Sequence, residues 1–140
     1  VGGKIPKKGV YISVGGELNK AAFLESAKLI ATLNLPIFAT NKTAKYLATH
    51  GIKAKRLFKI MEKQSPSVLE YIQNGKIDLA INIPDEQSEP EVMDGYVIRR
   101  CAVDNNVTLY TNLKKAELFV KAITQKNLED LLIKPWNEYL

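Results

Sequence analysis

The sequence predicts an α/β three-layer sandwich with a central, mainly parallel five-stranded sheet. Apolar runs alternate with helical patterns from end to end, the arrangement of a parallel sheet covered by helices on both faces. The junctions carry turn residues, namely Gly15-Gly16, Gly51, Asn74-Gly75 and Pro84-Asp85. With 140 residues, 46% of them hydrophobic and 25% charged, the chain has the size and composition of one compact domain built on a single core.

Val10 to Val14 is the first strand, and Gly15-Gly16 turns the chain into a helix from about Leu18 to Leu33. Phe23, Leu24, Ala27, Ile30 and Ala31 give that helix its apolar face. Leu35 to Ala39 forms the second strand and Asn41 to His50 the second helix. Gly51 then stops it before a shorter third strand around Ala54 to Phe58. Ser65-Pro66 starts a helix that buries Val68, Leu69 and Ile72 and ends at Asn74-Gly75. Ile77 to Ile83, the most continuous apolar run, is expected to be the central strand. A polar loop from Asp85 to about Pro90 leads to a helix through Val97 to Val103, then a strand at Val107 to Tyr110. A last helix carries Leu113, Ala116, Val120 and Ile123 on one face. Residues 1–8 are an entry segment, and in the tail 127–140 Leu128, Leu131, Leu132 and Trp136 dock on the domain or meet another part of a larger molecule. The chain is expected to be a single domain over 1–140 and a fragment of something longer.

Several function classes are excluded by composition. No apolar run approaches the roughly 20 residues that span a bilayer, and no signal-peptide pattern opens the chain, so a cytoplasmic location without membrane association is expected. The single Cys101 permits no intrachain disulfide and reads as a buried structural thiol. His50 precedes Gly51 at a helix end, where the dipole favours it; one His and one Cys at unrelated positions build no metal site. The net charge of +5 favours an anionic partner, but the lysines are scattered and not interleaved with aromatics, which ranks small anions above nucleic acid.

Ligands of open parallel sheets bind outside the carboxyl ends of the strands. Thr40 and Thr43 bracket the start of the second helix, whose first N–H groups lack intrahelical partners. The pair is either an ordinary cap with a second polar residue in the first turn or an anion site using hydroxyls, amides and helix dipole together. Lys20 after strand one, Lys59 after strand three and Asn82 at the end of strand four converge on the same edge of the sheet, with Ile83, Pro84 and Asp85 beside them. Each lysine alone also fits a solvated surface charge, and Asn82 also fits a residue satisfying the turn at Pro84. Asp85 and Glu86 either select against extra negative charge in a ligand or serve the turn.

Gly15-Gly16 is not a full G-x-G-x-x-G, and Glu17 would oppose a pyrophosphate there. A Walker lysine, a G-x-S-x-G elbow and a Ser/His/Asp set are all missing from the sequence. Arg99 and Arg100 fit ion pairing within the fold or across a domain interface better than contact with an anion.

Four segments together resemble the methylglyoxal-synthase-like domain at the C-terminal end of the large chain of carbamoyl phosphate synthetase. They are Ile5 to Val14, the threonine loop Phe38 to Thr43, the strand Gly75 to Pro84, and Tyr96 to Ala102 with its arginine pair. The resemblance spans nearly the whole chain and implies a Rossmann-like fold and a regulatory, non-catalytic role. It implies a phosphorylated nucleotide such as UMP or IMP as effector, held by Lys20, Thr40, Thr43 and Lys59, with Asn82 and the Ile83-Pro84-Asp85 loop reading the rest. Partners implied are the synthetase domains of the same large chain and the glutaminase small chain, which serve pyrimidine and arginine biosynthesis. ATP, magnesium and bicarbonate are implied only for the synthetase domains, and no cofactor for this one. In urea-cycle members activated by N-acetylglutamate, the family pattern has tryptophan at the position of Lys59 and asparagines at those of Asp85 and Gly95. Ile83-Pro84 departs from the Thr-rich loop of some nucleotide-binding members. The catalytic methylglyoxal synthases carry a His-Asp pair in the first loop and an acidic Gly-Gly-Asp loop later, and the loops here read Gly15 to Lys20 and Ile83 to Gln87 without them. Alternatives are a lyase acting on dihydroxyacetone phosphate and an interaction module with a vestigial pocket.

Overall fold

The computed structural model describes residues 5–59, 62–85 and 89–125; the tail 127–140, Glu86 and the first four residues of the entry segment lie outside them. In chain order the elements are β1 (Val10–Val14), α1 (Glu17–Ala31), β2 (Ile37–Ala39), α2 (Asn41–Thr49), β3 (Lys55–Arg56), α3 (Val68–Gln73), β4 (Leu79–Ile83), α4 (Glu89–Asp104) and β5 (Thr108–Tyr110). A final helix, α5, occupies residues 113–125. The sheet order is β3-β2-β1-β4-β5 and all four pairings are parallel. The chain winds outward from β1 through β2 to β3, then crosses back to the other side of β1, so the order reverses between β1 and β4.

Alternation along the strands sorts the core into two layers. Val10, Ile12, Val14, Leu79, Ile81 and Ile83 face α1, α2 and α5 and pack on Phe23, Ala27, Ile30, Leu47, Ala116 and Val120. Tyr11 and Ala80 face α3 and α4, against Val68, Ile72, Ile98 and Ala102. Each large apolar side chain buried here contributes about 1.5–3 kcal/mol. The entry into β1 is fixed by one carboxylate: Asp78 accepts the amides of Lys7, Lys8 and Gly9 at 2.7, 3.1 and 3.2 Å.

Several boundaries differ from expectation, each for a local reason. The central strand is β1; β4, the longest apolar run in the sequence, lies beside it and is covered on both faces as well. Leu35 and Pro36 precede β2, where the Pro36 carbonyl accepts the Val10 amide at 3.0 Å. The α3 helix is capped by Ser67 rather than begun at Ser65: Ser67 Oγ accepts the Glu70 amide at 3.2 Å and donates back to the Glu70 carboxylate at 3.2 Å. The helix expected around Val97 to Val103 begins eight residues earlier, at Glu89.

Candidate functional site

The carboxyl ends of β1 and β2 and the first turns of α1 and α2 enclose a pocket of about 250 Å³. Its wall includes Ser13, Gly16, Glu17, Lys20, Thr40, Lys42, Thr43, Lys59 and Asp85. Five residues expected from the sequence, Lys20, Thr40, Thr43, Lys59 and Asp85, are thus brought together. Ile83 and Pro84 line an adjoining groove of about 680 Å³, which shares Gly15, Gly16, Glu17 and Asp85 with the pocket.

Hydroxyl geometry separates the two readings of the threonine loop. Thr40 occupies the N-cap position of α2, yet its side chain makes no capping bond; Thr40 Oγ1 instead meets Ser13 Oγ at 3.1 Å. The first intrahelical bond runs from the Ala44 amide to the Thr40 carbonyl at 2.7 Å, leaving the amides of Asn41, Lys42 and Thr43 outside the ladder, with Lys42 and Thr43 at the pocket wall. No acidic residue occupies the first turn of α2, in contrast to Glu70 in α3. Thr43 Oγ1 accepts the Val14 amide at 3.1 Å, so its own proton is left to donate. One hydroxyl of the Ser13–Thr40 pair donates to the other, so the second hydroxyl's proton is left for another acceptor.

All three hydroxyl side chains are buried, with residue exposures of 6% for Ser13, 2% for Thr40 and 3% for Thr43. Lys20 is buried to the same degree, at 6%. Its ammonium has an ion-pair neighbour, Glu17, at 3.7 Å, a distance too long for a hydrogen bond. Three lysines and two carboxylates, Glu17 and Asp85, therefore line a pocket that also presents hydroxyl protons and backbone amides, a donor set suited to a phosphate-like anion. Gly15 is required where it stands. A Cβ there would lie 2.8 Å from Asp85 Cβ and collide with the Asp85 amide, while the Gly15 amide donates to the Ile83 carbonyl at 2.7 Å.

Other expected residues are placed elsewhere. Asn82 is buried in register with Ser13 but does not line the pocket; a Cβ on Gly95 of α4 would stand 3.7 Å from Asn82 Nδ2. Arg99 and Arg100 are exposed on α4 and make no ion pair among the described residues; Arg100 borders a separate groove between α3 and α4 with Leu69, Tyr96 and Cys101. Cys101 is buried, and burial, reinforced by Asp104, raises its thiol pKa despite a hydrogen bond from Asn105 at 3.6 Å. His50 stands at the far end of α2, its Nδ1 3.0 Å from the Tyr46 carbonyl oxygen. Sequence reasoning missed Ser13 and Lys42. Ser13 is a lone polar residue inside an apolar strand and Lys42 lies between the two threonines, and both positions are visible signals once strand ends are aligned.

The fold and the site define a parallel α/β domain with a polar pocket at the carboxyl ends of its strands, beside the point where strand order reverses. The chain belongs to the MGS-like domain family, whose model matches residues 22–111. It is 40% identical over 123 residues to the C-terminal section of the carbamoyl phosphate synthase large chain of Aquifex aeolicus, covering 87% of this chain and 22% of the relative. It is 39% identical over 130 residues to the carbamoyl phosphate synthase large chain of Methanothrix thermoacetophila, covering 93% of this chain and 12% of that one. The multifunctional protein URA2 of Saccharomyces cerevisiae is 35% identical over 133 residues, 89% of this chain and 6% of its own length. The chain thus spans less than a quarter of each of these relatives.

Proposed function

We propose that this chain is the allosteric effector-binding domain of a carbamoyl phosphate synthetase large chain, and that its ligand is a phosphorylated nucleotide of the UMP or IMP type. The observation that carries the reading is the convergence of a buried ammonium, three buried hydroxyls and the open amides of α2 on one pocket. The ligand's phosphate accepts hydrogen bonds from Thr43, from the Ser13–Thr40 pair and from the α2 amides, while Lys20, Lys42 and Lys59 neutralise its charge. The remainder of the ligand extends over the Ile83 to Asp85 loop. The names of the relatives support placement of the domain at the C-terminal end of a carbamoyl phosphate synthase large chain; on this reading its partners are the synthetase domains of that chain and a glutaminase small chain.

The domain itself performs no catalysis in this account. The His-Asp pair of the methylglyoxal synthases has no counterpart at the pocket, because its carboxylates are Glu17 and Asp85 and the single histidine lies at the opposite end of α2. An effector changes synthetase output only through unequal affinity for two states of the interface between domains. The segments around residues 15–20, at the start of α1, and 83–92, of which 86–88 lie outside the described residues, are those through which the pocket acts on that interface.

Calorimetric titration with UMP, IMP, UTP, phosphoribosyl pyrophosphate and N-acetylglutamate tests the reading. A phosphorylated ligand binds, N-acetylglutamate does not, and Thr43→Ala and Lys59→Ala each weaken binding by about 1–3 kcal/mol. Absence of heat from every phosphorylated ligand contradicts it, as does conversion of dihydroxyacetone phosphate to methylglyoxal by the purified domain.

A further inference from the structure

Helix α1 carries two Glu–Lys pairs of the same i,i+3 spacing, and burial separates them. Glu25 and Lys28 stand 3.6 Å apart with the lysine side chain 50% exposed, an ordinary solvated pair. Glu17 and Lys20 stand 3.7 Å apart, but the Lys20 side chain is 5% exposed while that of Glu17 is 85% exposed. A buried ammonium must be neutralised nearby, and Glu17 does this from the rim without a hydrogen bond. The same ammonium stands in the wall that holds Thr40 and Thr43. Glu17 is the first residue of α1, its preceding Gly16 has φ 88, and it lines the adjoining groove as well as the pocket. Its carboxylate can therefore rotate from one to the other within a solvated rim.

We propose that Glu17 is an intramolecular competitor at this site: its carboxylate and the ligand's phosphate contend for the Lys20 ammonium, so the first turn of α1 sets the affinity of the pocket. The inference rests on the reading of the pocket as a phosphate site. Two anions at one ammonium repel each other, so a phosphate seated on Thr40 and Thr43 displaces Glu17 toward the groove. Neutralising Glu17 removes both the competition and the repulsion. Neutralising Glu25, which has the same spacing on the same helix but faces no pocket, removes neither.

The test is calorimetry with UMP and inorganic phosphate on the wild type, Glu17→Gln, Glu25→Gln, Lys20→Gln and the Glu17→Gln/Lys20→Gln double variant. Glu17→Gln is expected to bind UMP roughly three- to tenfold more tightly than the wild type, with Glu25→Gln unchanged. The gain from Glu17→Gln falls to half or less when Lys20 is also replaced, because the competition is then gone and only the direct repulsion between carboxylate and phosphate remains. Wild-type or weaker affinity in Glu17→Gln, with the wild type binding, overturns the competition while leaving the phosphate site standing. An equal gain with and without Lys20 also overturns it, since that is a general charge effect. If neither the wild type nor Glu17→Gln binds UMP or phosphate, both readings fall together.

Discussion

Thr43 Oγ1 accepts the Val14 amide at 3.1 Å, and this bond joins the first turn of α2 to the last residue of β1. The bond exists because β2 is short. Its last residue, Ala39, pairs with Ile12, so β1 runs two residues further with no β2 partner for the Val14 amide. The Thr43 hydroxyl takes the place of the missing carbonyl, and doing so leaves its proton to donate.

Thr43→Val is therefore expected to lower stability and phosphate affinity together. A buried amide left without an acceptor costs about 1–3 kcal/mol. Thr43→Ser keeps both the acceptor and the donor, and is expected to retain most of each. Chemical denaturation and calorimetry on the two variants separate the outcomes, and a Thr43→Val variant with wild-type stability would remove the structural half of this account.

Lys20→Gln separates stability from binding. Removing a buried, incompletely paired charge is expected to leave the fold as stable as before or slightly more so, while ligand affinity falls. Thermal melting and titration on the same sample provide the check, and parallel losses in both would show that Lys20 serves the fold.

Gly15→Ala forces the Asp85 backbone to move, because the new Cβ would stand 2.8 Å from Asp85 Cβ. The expected result is a loss of about 1–3 kcal/mol in stability, as for other overpacked positions, with weaker ligand binding. Asp78→Ala releases the Lys7, Lys8 and Gly9 amides at the opposite end of the sheet. It is expected to lower stability while leaving affinity at the strand ends unchanged, a comparison that melting curves and calorimetry make directly.

The Cys101 thiol has a pKa raised by burial, with Asp104 adding to the shift. A raised thiol pKa makes a contribution to stability that is present in full below the unfolded-state pKa and is lost as pH climbs through the folded-state value. Wild-type stability is therefore expected to fall relative to Cys101→Ala as the solution is made alkaline, measured by urea unfolding across that range. A constant difference would show that the thiol is solvated.

Most of the fold is legible in the sequence because apolar run length and turn residues are local. Val10–Val14 ends before Gly15-Gly16, and α2 ends at Thr49, capped by His50 before Gly51, whose φ is 80. Strand order is not local, and the length of the Ile77 to Ile83 run gave no sign that β1 would take the middle place. The Ser13–Thr40 bond depends on β1 and β2 register, which no single segment encodes. Lys20 and Glu17 are visible as an i,i+3 pair, but the burial that distinguishes them from Glu25 and Lys28 arises only when α1 meets the ends of β1 and β2. Asn82 was readable as a polar strand end, while its place beside Gly95 depended on where α4 packs.

The central claim is that a phosphorylated ligand sits on the first turn of α2 at the carboxyl ends of β1 and β2. Titration of isotopically labelled protein with UMP, followed through its backbone amide resonances, tests this most directly. The account predicts the largest shifts at Asn41, Lys42 and Thr43 and at Val14 to Glu17, with Gly9 and Lys76 at the other end of the sheet unmoved. Shifts concentrated between α3 and α4, around Tyr96 and Arg100, would contradict it.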